Sequence, residues 1–199
     1  MKIFDAVILM AGTGSRLRGS AATIAKPLIP IAGRPLISYA IESFDKAGVE
    51  TIHAVVGPNG DELAAAVAPL LPSHLELRPI ANPNWQKQNG VSVLTAEGKV
   101  RTPFFLAMGD HLFERSILDK LLGAADPTRL NLAIDRKISS IFEYLRRVLT
   151  DGDCSLADGV RLMAEEGNAQ AIDIGDAWWQ DVDTPQMLAR AEEEVTRLL

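Results

Sequence analysis

With 199 residues, a formal net charge of −6 and nearly half of its residues apolar, the chain is long enough to bury one substantial core. It is too acidic to coat a nucleic acid with Lys and Arg contacts. The opening KIFDAVILMAG has too short an apolar run for a membrane span and no small-residue cleavage site after it, and Cys154 is the only cysteine; a cytoplasmic protein of one domain over 1–199, without an internal disulfide or a cysteine-based zinc site, is expected.

The apolar run 6–10 reads as a strand that breaks at Gly12. The next thirty residues offer Gly12 and Gly14 together with Arg16, Arg18, Lys26 and Arg34, and no carboxylate before Glu42. Such a loop concentrates positive potential where glycines allow positive φ and a close approach of backbone N–H groups to an anion. The backbone of Ala11, Gly12, Thr13, Gly14 and Ser15, with Arg16 and Lys26 reaching in from two points, suits a triphosphate. Spacing excludes two other phosphate loops. Neither Gly14 nor Gly19 is followed by Lys and a hydroxyl residue as a P-loop requires. A dinucleotide fingerprint would need glycine at Leu17 and an acid closing the second strand, which instead ends in Gly57.

Beyond the loop, Leu36, Ile37, Ala40, Ile41 and Phe44 recur at helical spacing over 34–47, with Gly48 just past the end. Strand 51–56, helix 61–70 stopped by Pro72, and strand 75–80 follow. This alternation predicts an α/β fold, a three-layer αβα sandwich with a mostly parallel, Rossmann-like central sheet. Its ligand is expected beyond the strand C-termini.

A polar loop over 81–90 with Trp85 leads into a helix over 91–97. Asn89 and Gly90 stand at its entrance, either to read a ligand's polar edge or to cap the helix. Strand 102–108 ends in Gly109-Asp110-His111. A carboxylate at the end of a buried strand needs a cation to meet, so Asp110 is the prime candidate; its alternative is to cap a helix over 114–122. Next come strand 130–135, helices 139–149 and 156–166, the latter capped by Ser155 with Asp158, and strand 169–174. Asp181 and Asp183 alternate across Val182 and share one side if the chain is extended. Thr184 and Pro185 then open a terminal helix over 186–199.

Gly12-Thr13-Gly14-Ser15-Arg16-Leu17 with Lys26-Pro27-Leu28 resembles the signature of nucleotidyltransferases that activate sugar and alcohol phosphates. The version in molybdenum cofactor enzymes reads differently around the lysine. Asn89-Gly90-x-Ser92, Met108-Gly109-Asp110-His111 and Trp179-Gln180-Asp181-Val182-Asp183-Thr184 look most like the inositol-1-phosphate cytidylyltransferases. That resemblance implies transfer of CMP from CTP to inositol 1-phosphate, with pyrophosphate released. It implies triphosphate binding by Gly12, Gly14, Arg16 and Lys26, and Mg2+ on Asp110 and Asp181, with Asp183 the second choice. Phosphocholine or a sugar 1-phosphate as acceptor, UTP or GTP as donor, and a non-catalytic nucleotide-binding module are the alternatives. Members of the family are often fused to a membrane-embedded CDP-alcohol phosphotransferase, here expected as a separate protein. The family also has an excursion of several tens of residues that this chain lacks between Lys137 and Ile138, leaving one wall of the acceptor pocket unassigned.

Overall fold

A computed structural model describes residues 2–12, 24–101, 103–126, 128–134 and 155–198. Its centre is a parallel sheet of four strands, β1 (Asp5–Leu9), β4 (Thr51–Val56), β5 (Glu76–Ala81) and β6 (Phe104–Met108), in the order β5-β4-β1-β6. β1 is buried at every position, as expected of a central strand covered on both faces. Its register with both neighbours is unbroken, from Asp5 opposite Thr51 and Phe104 to Leu9 opposite Val55 and Met108.

Strand alternation sorts the core into two layers. Ala6, Ile8, Ile52, Ala54, Val56 and Phe105 meet Ile37, Ile41 and Phe44 of α1 (Leu36–Lys46) and Leu63 and Val67 of α2 (Gly60–Val67). The opposite residues Val7, Leu9, Val55 and Ile80 pack with Ala96 and with Val93 of α3 (Asn89–Leu94). Helix, sheet and helix therefore form the three layers that the sequence predicts.

The α1 helix stops where expected, with Gly48 at φ +87°, a left-handed backbone that glycine adopts without a Cβ penalty. The α2 helix continues into a 3-10 turn, Ala68–Leu70, before Pro72. α3 begins two residues earlier than predicted and ends three earlier. α4 (Arg115–Ala124), β8 (Leu130–Ile134), α5 (Leu156–Glu165), β9 (Ala169–Asp173) and α6 (Pro185–Leu198) also fall close to their predicted places. Ser155 and Asp158 form a reciprocal capping box on α5, and Met187 N–H donates to Thr184 Oγ1 at the start of α6. The predicted helix 139–149, Cys154 and the Lys137–Ile138 junction lie outside the described residues.

Four short strands were not predicted. β2 (Pro30–Ile31) and β3 (Arg34–Pro35) form a small hairpin, and β7 (His111–Phe113) pairs antiparallel with β10 (Trp179–Asp181). Together with α6 they enclose a second apolar cluster of Ile29, Ile31, Leu36, Leu112, Val182, Ala191 and Val195. This satellite core fixes the C-terminal segment beside the end of β6.

Candidate active site

Sheet order determines where the crevice opens. The chain leaves β1 toward β4 and β5 on one side and reaches β6 on the other, so the C-terminal ends of β1 and β6 flank the point where the winding reverses. A cavity of about 150 Å³ lies there, lined by Met10, Ala11 and Gly12 after β1, by Gly109 and Asp110 after β6, and by Lys26, Trp85 and Asn89. Five predicted site residues thus share one cavity: Ala11, Gly12, Lys26, Asn89 and Asp110. Gly90 is buried beside it. Thr13, Gly14, Ser15 and Arg16 lie outside the described residues.

Glycines let the strand ends approach one another. A Cβ on Gly109 would stand 2.7 Å from Met10 Cγ and 3.1 Å from Leu9 O, while its N–H donates to Leu9 O at 2.9 Å. Asp110 is thereby held against the end of β1. A Cβ on Gly57 would meet Ala11 O at 3.0 Å and Trp85 Cγ at 3.5 Å; the small residue lets the Trp85 loop and the Ala11 backbone come close on either side of it. That loop is shaped by Asn82, which is 3 % exposed. Its Oδ1 accepts from Asn84 N–H at 2.8 Å and its amide donates to Ser92 Oγ at 3.0 Å. Sequence reasoning missed Asn82, although an Asn before Pro83 is a turn signal.

The polar centre, among the described residues, is an ionic cluster of Lys26, Asp110 and Asp183. Lys26 opens a short 3-10 turn, Lys26–Leu28, seated by the buried Pro27. Its Nζ donates to Asp110 Oδ2 at 2.6 Å and to Asp183 Oδ1 at 2.5 Å, and its side chain is only 10 % exposed. Val182 N–H donates to Asp110 O at 3.0 Å, which brings Asp183 alongside Asp110. Asp181 instead sits opposite His111 in the β7–β10 pair. The two acidic stretches do meet, and the carboxylate that shares the lysine with Asp110 is Asp183, the second choice of the sequence reading.

Among the described residues, one oxygen of Asp110 lacks a partner. Asp110 Oδ1 is buried without a hydrogen bond, and His111 Nε2 is 3.6 Å away, too far for one. Burial holds the His111 imidazole below its ordinary pKa despite nearby Asp110 and Asp181. The ring is therefore neutral near pH 7 and stacks at a tilt on Trp179, with centroids 5.5 Å apart.

Two alternative structural roles are corrected. Asp110 does not cap the helix after it, because β7 intervenes and Glu114 occupies the cap position of α4. Asn89 does not cap its own helix, whose cap position is Gln88. Its side-chain oxygen instead accepts from Leu156 N–H at 2.8 Å, which satisfies a free donor in the first turn of α5. That oxygen is already engaged, which weakens the expectation that Asn89 reads a base through it.

Known proteins resemble the chain in sequence and in fold. The model of the MobA-like NTP transferase domain family matches residues 6–169. Bifunctional IPC transferase and DIPP synthases are similar along 96 % of the chain: that of Aquifex aeolicus is 25 % identical over 224 aligned positions and that of Rubrobacter xylanophilus 31 % identical over 229. The chain spans about half the length of these relatives, 52 % and 51 %. Both alignments are longer than the 199-residue chain, so the relatives carry residues within the matched region that it lacks. The inositol-1-phosphate CTP transferase of T. maritima has the same fold, with a TM-score of 0.74, 20 % identity and coverage of 97 % of this chain and 98 % of that one.

Proposed function

We propose, from the premise that the chain belongs to the MobA-like NTP transferase domain family, that it transfers CMP from CTP to inositol 1-phosphate and releases pyrophosphate. The observation that carries this reading is Lys26 between Asp110 and Asp183 in the cavity at the ends of β1 and β6. The choice of inositol 1-phosphate and CTP rests on the sequence motifs and on the kind of enzyme named among the relatives.

In this reaction an oxygen of the acceptor's phosphate attacks the α-phosphorus of CTP. The bond to the bridging oxygen breaks in line, and its electron pair leaves with pyrophosphate. The acceptor phosphate is already ionised near neutral pH, so positioning and charge neutralisation are the main requirements. Gly12 and the glycine turn after it bind the triphosphate through backbone N–H groups, and Arg16 and Lys26 offset the charge that grows on pyrophosphate. The β7–β10 strands, with His111, Trp179 and Asp181, form the side from which the acceptor approaches.

The residues fit a Mg2+ cofactor. Asp110 Oδ1 is buried and lacks a donor, and the available ligands are hard carboxylate oxygens. Mg2+ commonly takes one or two carboxylates and completes its shell with phosphate and water. Asp110 with Asp183 would hold it, Asp181 being the alternative. When bound, the ion polarises the α-phosphate.

A panel of CTP, UTP, GTP and dTTP against inositol 1-phosphate, phosphocholine and sugar 1-phosphates, followed by pyrophosphate release with Mg2+, tests the reading. Turnover highest with CTP and inositol 1-phosphate is expected. Preference for another pair would reassign the substrates, and nucleotide binding without turnover across the panel would replace the enzyme by a nucleotide-sensing module. No helix among the described residues is long and apolar enough to cross a membrane; we place the enzyme in the cytoplasm, supplying its CDP-alcohol to a membrane-embedded phosphotransferase.

A further inference from the structure

We infer that Lys26 is a placeholder cation: its ammonium occupies the position between Asp110 and Asp183 that a divalent ion requires, and it yields that position only when a triphosphate offers it another anion. The inference deepens the proposed reaction and rests on that reading for the identity of the arriving anion.

Two carboxylates at the end of a buried sheet repel each other, and Lys26 is the group that links them. Its Nζ lies 2.6 Å from Asp110 Oδ2 and 2.5 Å from Asp183 Oδ1. Both contacts are charge-assisted and close to the short limit for such bonds. The ammonium is shielded, with 10 % of the side chain exposed, whereas Asp110 and Asp183 keep 24 % and 29 %. A divalent ion approaching the pair from solvent meets a fixed positive charge a few ångströms from its binding position. It also finds two of the carboxylate oxygens already accepting hydrogen bonds.

Asp110 Oδ1 is the oxygen the lysine leaves unpartnered. The ammonium therefore neutralises the pair incompletely, leaving one ligand position ready without allowing the metal to bind by itself. Gly12 and Lys26 line the same cavity, so a phosphate chain seated at the glycine turn lies within reach of the lysine. Transfer of the ammonium from carboxylate to phosphate removes the repulsion and frees Asp110 Oδ2 and Asp183 Oδ1 in one motion. Metal and nucleotide then bind with positive coupling because both favour the same displaced lysine.

The test measures Mn2+ binding to nucleotide-free protein by the electron paramagnetic resonance of the free ion, independently of turnover. Lys26→Met is expected to bind Mn2+ about tenfold or more tightly than the wild type, because it removes a neighbouring positive charge. Adding Asp183→Asn should cancel the gain. Equal affinity in wild type and Lys26→Met overturns the inference, even if the substrate panel shows full transferase activity; a silent panel with the expected Mn2+ gain overturns the reaction but leaves the placeholder intact.

Should loss of the lysine prevent Lys26→Met from folding, the wild type carries the same test. With its lysines reductively methylated with 13C, the Lys26 resonance should stay in place with millimolar Mg2+ alone and move when a non-hydrolysable CTP analogue is added with the metal. A shift of the same size with Mg2+ alone overturns the inference.

Discussion

The two ends of the central sheet treat a carboxylate in opposite ways. At the N-terminal end, Asp5 is 2 % exposed and is richly supplied with donors. Arg101 reaches Oδ1 through Nε at 2.8 Å and Nη2 at 2.5 Å, its backbone N–H reaches Oδ2 at 2.8 Å, and His53 Nε2 lies 3.1 Å from Oδ2. At the C-terminal end, among the described residues, Asp110 shares the Lys26 ammonium with Asp183 and keeps one oxygen unpartnered. A fully satisfied carboxylate joins strands together; an under-supplied one is poised to bind something that arrives from solution. Access to solvent does not explain the contrast, because Asp5 and Arg101 also line an open cavity, of about 820 Å³; the supply of donors does.

The comparison can be broken by removing charge at each end in turn. Asp110→Asn should lower kcat/KM for the proposed transfer about 1,000-fold while leaving the melting temperature nearly unchanged, as expected for a group that stabilises charge in the transition state. Loss of folding with little loss of specific activity would make this end structural too. Asp183→Asn should cost about 100-fold and Asp181→Asn less than about tenfold, measured by pyrophosphate release at saturating CTP; the reverse order would restore Asp181 as the metal ligand.

Asp5→Asn should do the opposite. It removes a buried charge from its partners, and a loss of about 2 kcal/mol in unfolding free energy, read from urea titration, is expected with KM for CTP unchanged. Part of Arg101 is solvent-exposed, which keeps this cost below that of a fully buried pair.

The smallest effect is a change in the acid limb of stability. Burial alone would raise the pKa of Asp5, but the side-chain and backbone hydrogen bonds from Arg101 and the bond from His53 outweigh it and hold the carboxyl below its ordinary value. The unfolded chain therefore takes up this proton first, and the Asp5 contribution is present above the unfolded pKa and lost as pH falls through the folded one. Wild type should lose more stability than Asp5→Asn on acidification below about pH 4. Parallel acid limbs would remove the proposed role of the Arg101 contacts.

What the sequence made legible follows from the range of each interaction. β1, β4 and α1 were readable because burial on both faces, or on one helical face, writes itself into consecutive letters. The stop at Gly48 and the capping box of Ser155 with Asp158 were readable for the same local reason. β7 and β10 were missed because three residues carry no measurable period, although the two Asp residues flanking Val182 hinted at extended chain. Val182 is fully buried while Asp181 and Asp183 are half-buried.

Which of Asp181 and Asp183 meets Lys26 was a matter of register, fixed by the Val182 bond to Asp110 rather than by local composition. Asn89 illustrates the same limit. Its partner, Leu156, is 67 residues away, and no local pattern announces a side chain that serves another helix.

The bond between Lys26 and Asp183 spans 157 positions of sequence. During synthesis the glycine turn and the parallel strands emerge long before the segment that completes the ionic cluster. Closing so distant a contact belongs to the late, slow part of folding. A ribosome-bound chain that stops short of β10 consequently has its lysine facing Asp110 without Asp183, and the ionic cluster closes only after β10 has been made.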